Sequence, residues 1–289
     1  MPELPEVESL ARFLTEQAGG QMIERAELAA LAALKTWDPP LSALVGETVT
    51  GAIRRGKFLC VSTTGPWLVM HLARGGWVQW RDAVSANRTK PGKGPLALRI
   101  ALEGGTGFEV TEMGTEKRLA LHVVARPEDV GFLSSLGPEV LAPGFGPDEL
   151  GAILTSDANK ARNLKTVLVD QSQLAGVGNA YSDEALHTAK LSPFKPAGKL
   201  NHDELTNLHA AVVGVLTDAI ERSLGLPAKG LKAEKKAGLR VHGRTGETCP
   251  VCGDTIREVS FATKSLQYCA TCQTGGKPLA DRRLSRLLK

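Results

Sequence analysis

Two cysteine pairs near one end of the chain, Cys249-x-x-Cys252 and Cys269-x-x-Cys272, set the firmest limit on what this polypeptide folds into. Thiolates are soft, compact ligands, and four of them suit the tetrahedral preference of Zn2+. A two-residue gap lets one tight turn aim both sulfurs at a single ion. Two such turns close the coordination shell and leave no position for water, so the spacing predicts one structural zinc on a ribbon-like hairpin. A redox dithiol is the competing reading, and two matched pairs argue against it. The fifth cysteine, Cys60, stands alone in a strand-like run and reads as packing.

The rest of the composition sets wider bounds. A length of 289 residues suits two compact domains. With 42% hydrophobic and 23% charged residues, the chain is neither disordered nor fibrous. A net charge of +4 and a pI near 8.8 are too mild to establish a nucleic-acid partner alone. No apolar run approaches the ~20 residues of a membrane span. The opening Glu3, Glu6 and Glu8 reverse the pattern of a secretory signal. The expectation is a cytoplasmic, bacterial-type, nucleoid-associated protein with no membrane partner.

Periodicity divides the chain. Val7, Leu10, Ala11 and Leu14 recur at helical spacing over 5–18, stopped by Gly19-Gly20. Alternating runs at 50–63, 66–73, 76–81, 96–103, 107–112 and 117–124 read as short strands. Residues 1–130 are thus predicted to form a β-sandwich flanked by helices, and the Gly/Pro-rich stretch 131–146 an interdomain linker. Helical segments follow. Pro147 opens one, with Asp148 and Glu149 at its positive end. Asn201 and Glu204 stand at capping-box spacing before a long helix over 201–224, lined by Leu205, Leu208, Val212, Leu216 and Ile220. Residues 225–238, with Lys229, Lys232, Lys235 and Lys236, read as a mobile basic loop. The zinc finger is placed at 239–275 and a basic tail at 276–289. The fold class is α+β multidomain: the β-sandwich, then a helical domain over 147–238, then the zinc-ribbon hairpin.

The most informative stretch runs from Lys165 to Leu186. A helical run ends near Gln171, a turn carries Gly176 and Gly178, and Asn179 stands where it would cap a second helix. Helix N-termini and glycine-exposed amides bind phosphate well. In isolation the segment reads equally as two packed helices, and Pro2-Glu3 as an ordinary helix start.

In sequence order, however, Met1-Pro2-Glu3-Leu4-Pro5-Glu6-Val7-Glu8, Arg54-Arg55-Gly56-Lys57-Phe58-Leu59, Leu136-Gly137-Pro138-Glu139, the 165–186 segment, and Val241-His242-Gly243-Arg244 with the four cysteines and Gln273 resemble the formamidopyrimidine-DNA glycosylase/endonuclease VIII family. The resemblance spans essentially the whole chain and identifies 165–186 with that family's helix–two-turn–helix motif. It implies a monomer acting on damaged double-stranded DNA as a glycosylase with lyase activity at abasic sites. It implies that Met1 is removed and that the Pro2 amine attacks C1′ of the damaged nucleoside. Glu3 is implied as the general acid/base, Glu6 as a second acid and Lys57 as a phosphate-contacting aid to elimination. Lys165 and Asn179 are implied to hold backbone phosphates.

Several positions depart from the family pattern. Arg74 follows His71-Leu72-Ala73 where a methionine wedge is common, and reads either as a DNA contact that fills the gap or pairs with the orphaned base, or as a surface residue beside Gly75-Gly76. Thr115 to Ala120 replaces the usual wedge loop, leaving Arg118 for a phosphate contact and Leu119 for intercalation. Lys264 replaces the zinc-finger arginine and loses its bidentate fork. Segment 225–238 is shorter than the family's purine-capping loop, which speaks against an 8-oxoguanine preference. These departures keep open a second reading, a non-catalytic paralogue that binds abasic, crosslinked or structured nucleic acid. A third, a zinc ribbon docking on another protein, explains neither the N-terminus nor the 165–186 segment.

Overall fold

The structure, a computed structural model, describes residues 1–92, 94–261 and 265–280. It divides into two compact units: Met1–Leu136 with Ile220–Glu234, and Gly137–Ala219 with the chain from Lys235 onward.

The first unit opens with helix α1 (Leu4–Ala18), which buries Leu4, Val7, Leu10, Ala11 and Leu14. Strands β1 (Ile23–Leu28), β2 (Val49–Arg55), β3 (Phe58–Thr63), β4 (Trp67–His71), β5 (Gly76–Arg81), β6 (Leu96–Leu102), β7 (Gly107–Glu112) and β8 (Ala120–Val124) form two four-stranded antiparallel sheets. Their orders are β1-β6-β7-β5 and β2-β3-β4-β8. Apolar residues of α1 and of both sheets join one core that includes Leu10, Leu14, Leu59, Met70, Leu98, Ile100 and Phe108. A short helix α2 (Gly131–Ser134) closes this stretch.

Three differences from the sequence expectations have simple causes. The run 50–63 is a hairpin, β2 and β3, because Gly56 takes a positive φ of 55° and turns the chain at Lys57. Strand β1 escapes the pattern because Glu24, Arg25 and Glu27 dilute its alternation, as suits the edge position it occupies. The last strand starts at Ala120, since 117–119 is irregular.

In the second unit, α3 (Pro147–Thr155) begins at Gly146, whose amide donates to Glu149 at 2.8 Å. Helices α4 (Leu164–Leu168) and α5 (Asn179–Thr188) flank the glycine turn. Gly137 is demanded by packing: a Cβ there would fall 2.5 Å from the Gln173 carbonyl carbon. Helix α6 (His202–Ser223) starts with the expected reciprocal cap, Glu204 N–H to Asn201 Oδ1 at 2.8 Å and Asn201 N–H to Glu204 Oε2 at 3.0 Å. Helix α7 (Leu231–Gly238) occupies part of the stretch expected to be a mobile loop. The glycines, lysines and single proline of 225–238 mask an apolar triplet, Leu226, Ala228 and Leu231, which belongs to the first unit and joins its core. Strands β9 (Ile256–Ser260) and β10 (Ser265–Cys269) pair in the zinc-ribbon hairpin, which ends in α8 (Ala270–Thr274). No described helix is long and apolar enough to cross a membrane.

Candidate functional site

In the first unit, the functional residues gather where α1 begins. Glu3 is the N-cap residue, in extended conformation, and its backbone N–H donates to Glu6 Oε2 at 2.8 Å. This is the ordinary geometry of a helix start, but its burial is not ordinary. Pro2 is buried, and Glu3 and Glu6 expose only 2% and 3% of their surface. Carboxylates are rarely sealed so completely without a partner or a task. One turn on, Glu8 pairs with Arg54 of β2 at 3.2 Å, and Arg54 also donates to the Gly56 carbonyl at 3.1 Å. The start of α1 is thereby tied to the β2–β3 turn, which presents Lys57, itself 7% exposed. Phe58 pairs across the ladder with His71, their rings 4.9 Å apart. Burial, reinforced by the charges of Lys57 and His122, depresses the His71 pKa to about 4, so this imidazole is neutral at physiological pH.

Two loops of the same unit meet beyond β4. Ala73 adopts a positive φ of 48°, and the exposed Arg74 follows it. Gly75 is required because a Cβ would strike the Met113 carbonyl, and the Met113 amide donates back to Gly75 at 3.0 Å. In the 113–119 loop, the buried Glu112 carboxylate accepts the Arg118 and Leu119 amides at 2.6 and 2.9 Å. Leu119, expected to be free for intercalation, is instead 2% exposed and belongs to the core. The inward pull of Glu112 on its amide explains this. Arg118 is exposed and pairs with Glu116 at 3.2 Å. Met113, which sequence reasoning passed over, is the protruding apolar side chain of this loop at 61% exposure.

In the second unit, α5 is the organising element. The N-cap is Gly178; Asn179 is the first helical residue, not the cap expected from its residue type. Its amide Nδ2 donates to the Ser265 carbonyl of β10 at 2.7 Å. Lys165, expected at phosphate, is 7% exposed, and its ammonium contacts the Asn179 carbonyl and Asp183 Oδ1, each at 2.6 Å. The second Asp183 oxygen accepts from His242 Nδ1 at 2.7 Å and from the Gln267 amide at 3.2 Å. Glu184 gathers the amides of Arg240, Val241 and His242 at 2.8, 3.0 and 2.8 Å. Asp183 and Glu184 were not singled out from the sequence. The available signal was two acids inside a helix with apolar neighbours, the first of them one helical turn beyond Asn179.

The four sulfurs of Cys249, Cys252, Cys269 and Cys272 lie within 4.8 Å of one another, with Cys249–Cys272 at 3.9 Å and Cys252–Cys269 at 3.3 Å. A tetrahedron with Zn–S bonds of about 2.3 Å has edges of about 3.8 Å, so the cluster fits the ion. The first knuckle is closed by the Cys249 N–H to the Asp254 carbonyl at 2.7 Å. The second is closed by Gln273, which accepts the Cys269 amide at 2.9 Å and donates to the Leu191 carbonyl at 3.0 Å. The site is structural: one Zn2+ held by the four thiolates would offset part of their charge and cross-link the two knuckles. Lys264, and Arg282, Arg283, Arg286 and Lys289 of the basic tail, lie outside the described residues.

A helix–glycine turn–helix braced by a four-cysteine ribbon, alongside a β-rich unit with buried acids at its first helix, defines a zinc-finger protein of the DNA-repair glycosylase class. Three family profiles match in order: the formamidopyrimidine-DNA glycosylase N-terminal domain over residues 1–116, the formamidopyrimidine-DNA glycosylase H2TH domain over 136–227, and the zinc finger found in FPG and IleRS over 246–275. The chain belongs to the formamidopyrimidine-DNA glycosylase family. It is 36% identical over 271 residues to the formamidopyrimidine-DNA glycosylase of Moorella thermoacetica, covering 90% of this chain and 94% of that one. It is 59% identical over 155 residues to an uncharacterized formamidopyrimidine-DNA glycosylase-like protein of Mycobacterium tuberculosis, covering 54% of this chain and 95% of that one. The fold superposes on Lactococcus lactis FPG (MutM) in complex with FAPY-dG-containing DNA at a TM-score of 0.82 and 26% identity, covering 94% of this chain and all of that one.

Proposed function

We propose that this chain removes damaged bases from double-stranded DNA and cleaves at the resulting abasic sites, with the Pro2 secondary amine as nucleophile once Met1 has been removed. The observation that carries the proposal is the sealed trio of Glu3, Glu6 and Lys57 around the start of α1. An α-amino group titrates near ~8, leaving a usable neutral fraction at physiological pH. The target nucleotide must first leave the stack. The amine then bonds to C1′ as the glycosidic bond breaks, its electron pair leaving with the base, which takes up a proton. Glu3 protonates the ring oxygen as the sugar opens, giving an iminium between Pro2 and C1′. The iminium acidifies C2′; loss of that proton expels the 3′ phosphate, and water releases the enzyme. Glu6 fixes the Glu3 backbone and Lys57 supplies positive charge to the phosphate track. In the first unit the exposed Arg74 and Arg118 add further positive charge for DNA; in the second, Asn179 contacts phosphate and Lys165 holds the start of α5. Met113 fills space vacated by the everted base.

The test is borohydride trapping on abasic-site DNA after intact-mass measurement has shown the chain to start at Pro2. A covalent adduct, lost in Pro2→Gly, is expected. Absence of an adduct from a chain that starts at Pro2 overturns the proposal. A second reading, a non-catalytic binder of abasic or crosslinked DNA, draws support from the burial of Leu119 and the engagement of Arg118 with Glu116. The same assay separates the two.

A further inference from the structure

Helix α5 presents a polar stripe at four-residue spacing, and each member of it meets the zinc ribbon. Asn179 reaches Ser265, Asp183 reaches Gln267 and His242, and His187 reaches a zinc ligand. The last contact stands apart. His187 is 2% exposed, and its Nε2 lies 3.3 Å from Cys249 Sγ. Its Nδ1 is equally buried and has no hydrogen-bond partner among the described residues. A polar ring is costly to bury half-satisfied, so the contact it does make must be a good one.

We propose that His187 is a positioning residue of the zinc centre, donating its Nε2–H to the zinc-bound Cys249 thiolate. The two tautomers of a neutral imidazole are not equivalent here. With the proton on Nδ1, that N–H would be a buried donor with no acceptor, and the Nε2 lone pair would face an electron-rich sulfur. With the proton on Nε2, one N–H···S bond forms and a single lone pair is left over. The bond withdraws charge from a four-thiolate site that carries net negative charge with zinc bound. It also fastens the metal to the helix whose first residue, Asn179, is pinned to the other end of the ribbon. The zinc ion thus braces α5 as well as its own hairpin.

The test compares His187→Phe, which keeps a ring and loses the donor, with His187→Gln, which keeps a donor. In Co2+-substituted protein, the sulfur-to-cobalt charge-transfer bands of the Phe variant shift to lower energy, and those of the Gln variant stay near the parent position. Zinc transfer to a chromophoric chelator accelerates about tenfold or more in the Phe variant and recovers in the Gln variant. Unchanged bands and release in His187→Phe overturn the proposal. So does faster release in both variants with unmoved bands, since the ring then only fills space. A measurement on the parent protein needs no variant: 15N spectra of the zinc form show His187 protonated at Nε2, and a proton on Nδ1 instead overturns the assignment.

Discussion

The Lys165 ammonium sits 2.6 Å from Asp183 Oδ1, with the two side chains 9% and 1% exposed. A charge pair this deeply buried is held by mutual need: removing one partner leaves the other desolvated and uncompensated. Asp183→Asn is expected to destabilise the second unit by about 3 kcal/mol, because the charge facing Lys165 is removed and one of the two acceptor oxygens shared by Lys165, His242 and the Gln267 amide becomes an NH2 donor. Chemical denaturation of the zinc-loaded protein measures this. A loss below about 1 kcal/mol would mean that water reaches Lys165 freely.

Glu112 sets the shape of the 113–119 loop through the Arg118 and Leu119 amides. Glu112→Ala deletes a charged acceptor of two backbone donors, a change that costs about 2–3 kcal/mol. Lys117 and Arg118 then become favoured trypsin sites under native conditions. Parent-like resistance to limited proteolysis in the variant would contradict the anchoring role.

His71 gives the first unit a defined acid sensitivity. The unfolded chain binds a proton near the ordinary 6.5, whereas the folded protein binds it only at about 4. Unfolded protein therefore holds more protons between these values, and stability falls as pH drops from 6.5 to about 4, with no further contribution below. The full effect is up to about 3 kcal/mol. His122 acts in the same direction, its pKa lowered first by burial and then by Lys35. Urea titrations at several pH values should show a shallower acid slope in His71→Gln than in the parent.

The Trp77 indole N–H donates to the Ala228 carbonyl at 2.9 Å, and the Lys232 ammonium lies 4.7 Å from the ring centroid. Trp77→Phe retains an aromatic face but orphans the carbonyl, at about 1–2 kcal/mol. Amide exchange over residues 226–234 is expected to quicken in this variant. Exchange unchanged from the parent would show that the segment holds by its apolar contacts alone.

Much of this was legible from residue pattern. The cysteine spacing announced the ribbon, alternation announced most strands, and the Asn201–Glu204 spacing announced the cap of α6. What escaped shares a physical reason: each depends on a side-chain contact that residue type and periodicity do not encode. Leu119 reads as a free apolar tip until Glu112 is seen to hold its amide. Lys165 reads as a phosphate ligand until Asp183 is found beside it. Segment 225–238 reads as a loop because its glycines and lysines outweigh Leu226, Ala228 and Leu231, whose packing partners lie far earlier in the chain. The acids at α1 could be placed on a helix from sequence, but their sealing could not.

Residues Ile220–Glu234 fold with a β-rich body whose other members all precede Gly137. That body is therefore discontinuous in the gene. A fragment ending near residue 136 would carry every strand of the two four-stranded sheets and still lack the Ala228 and Lys232 contacts to Trp77, leaving apolar surface that invites aggregation. Supplying the 220–234 stretch as a separate peptide should restore solubility, making this protein a natural candidate for splitting into two pieces that reassemble on contact.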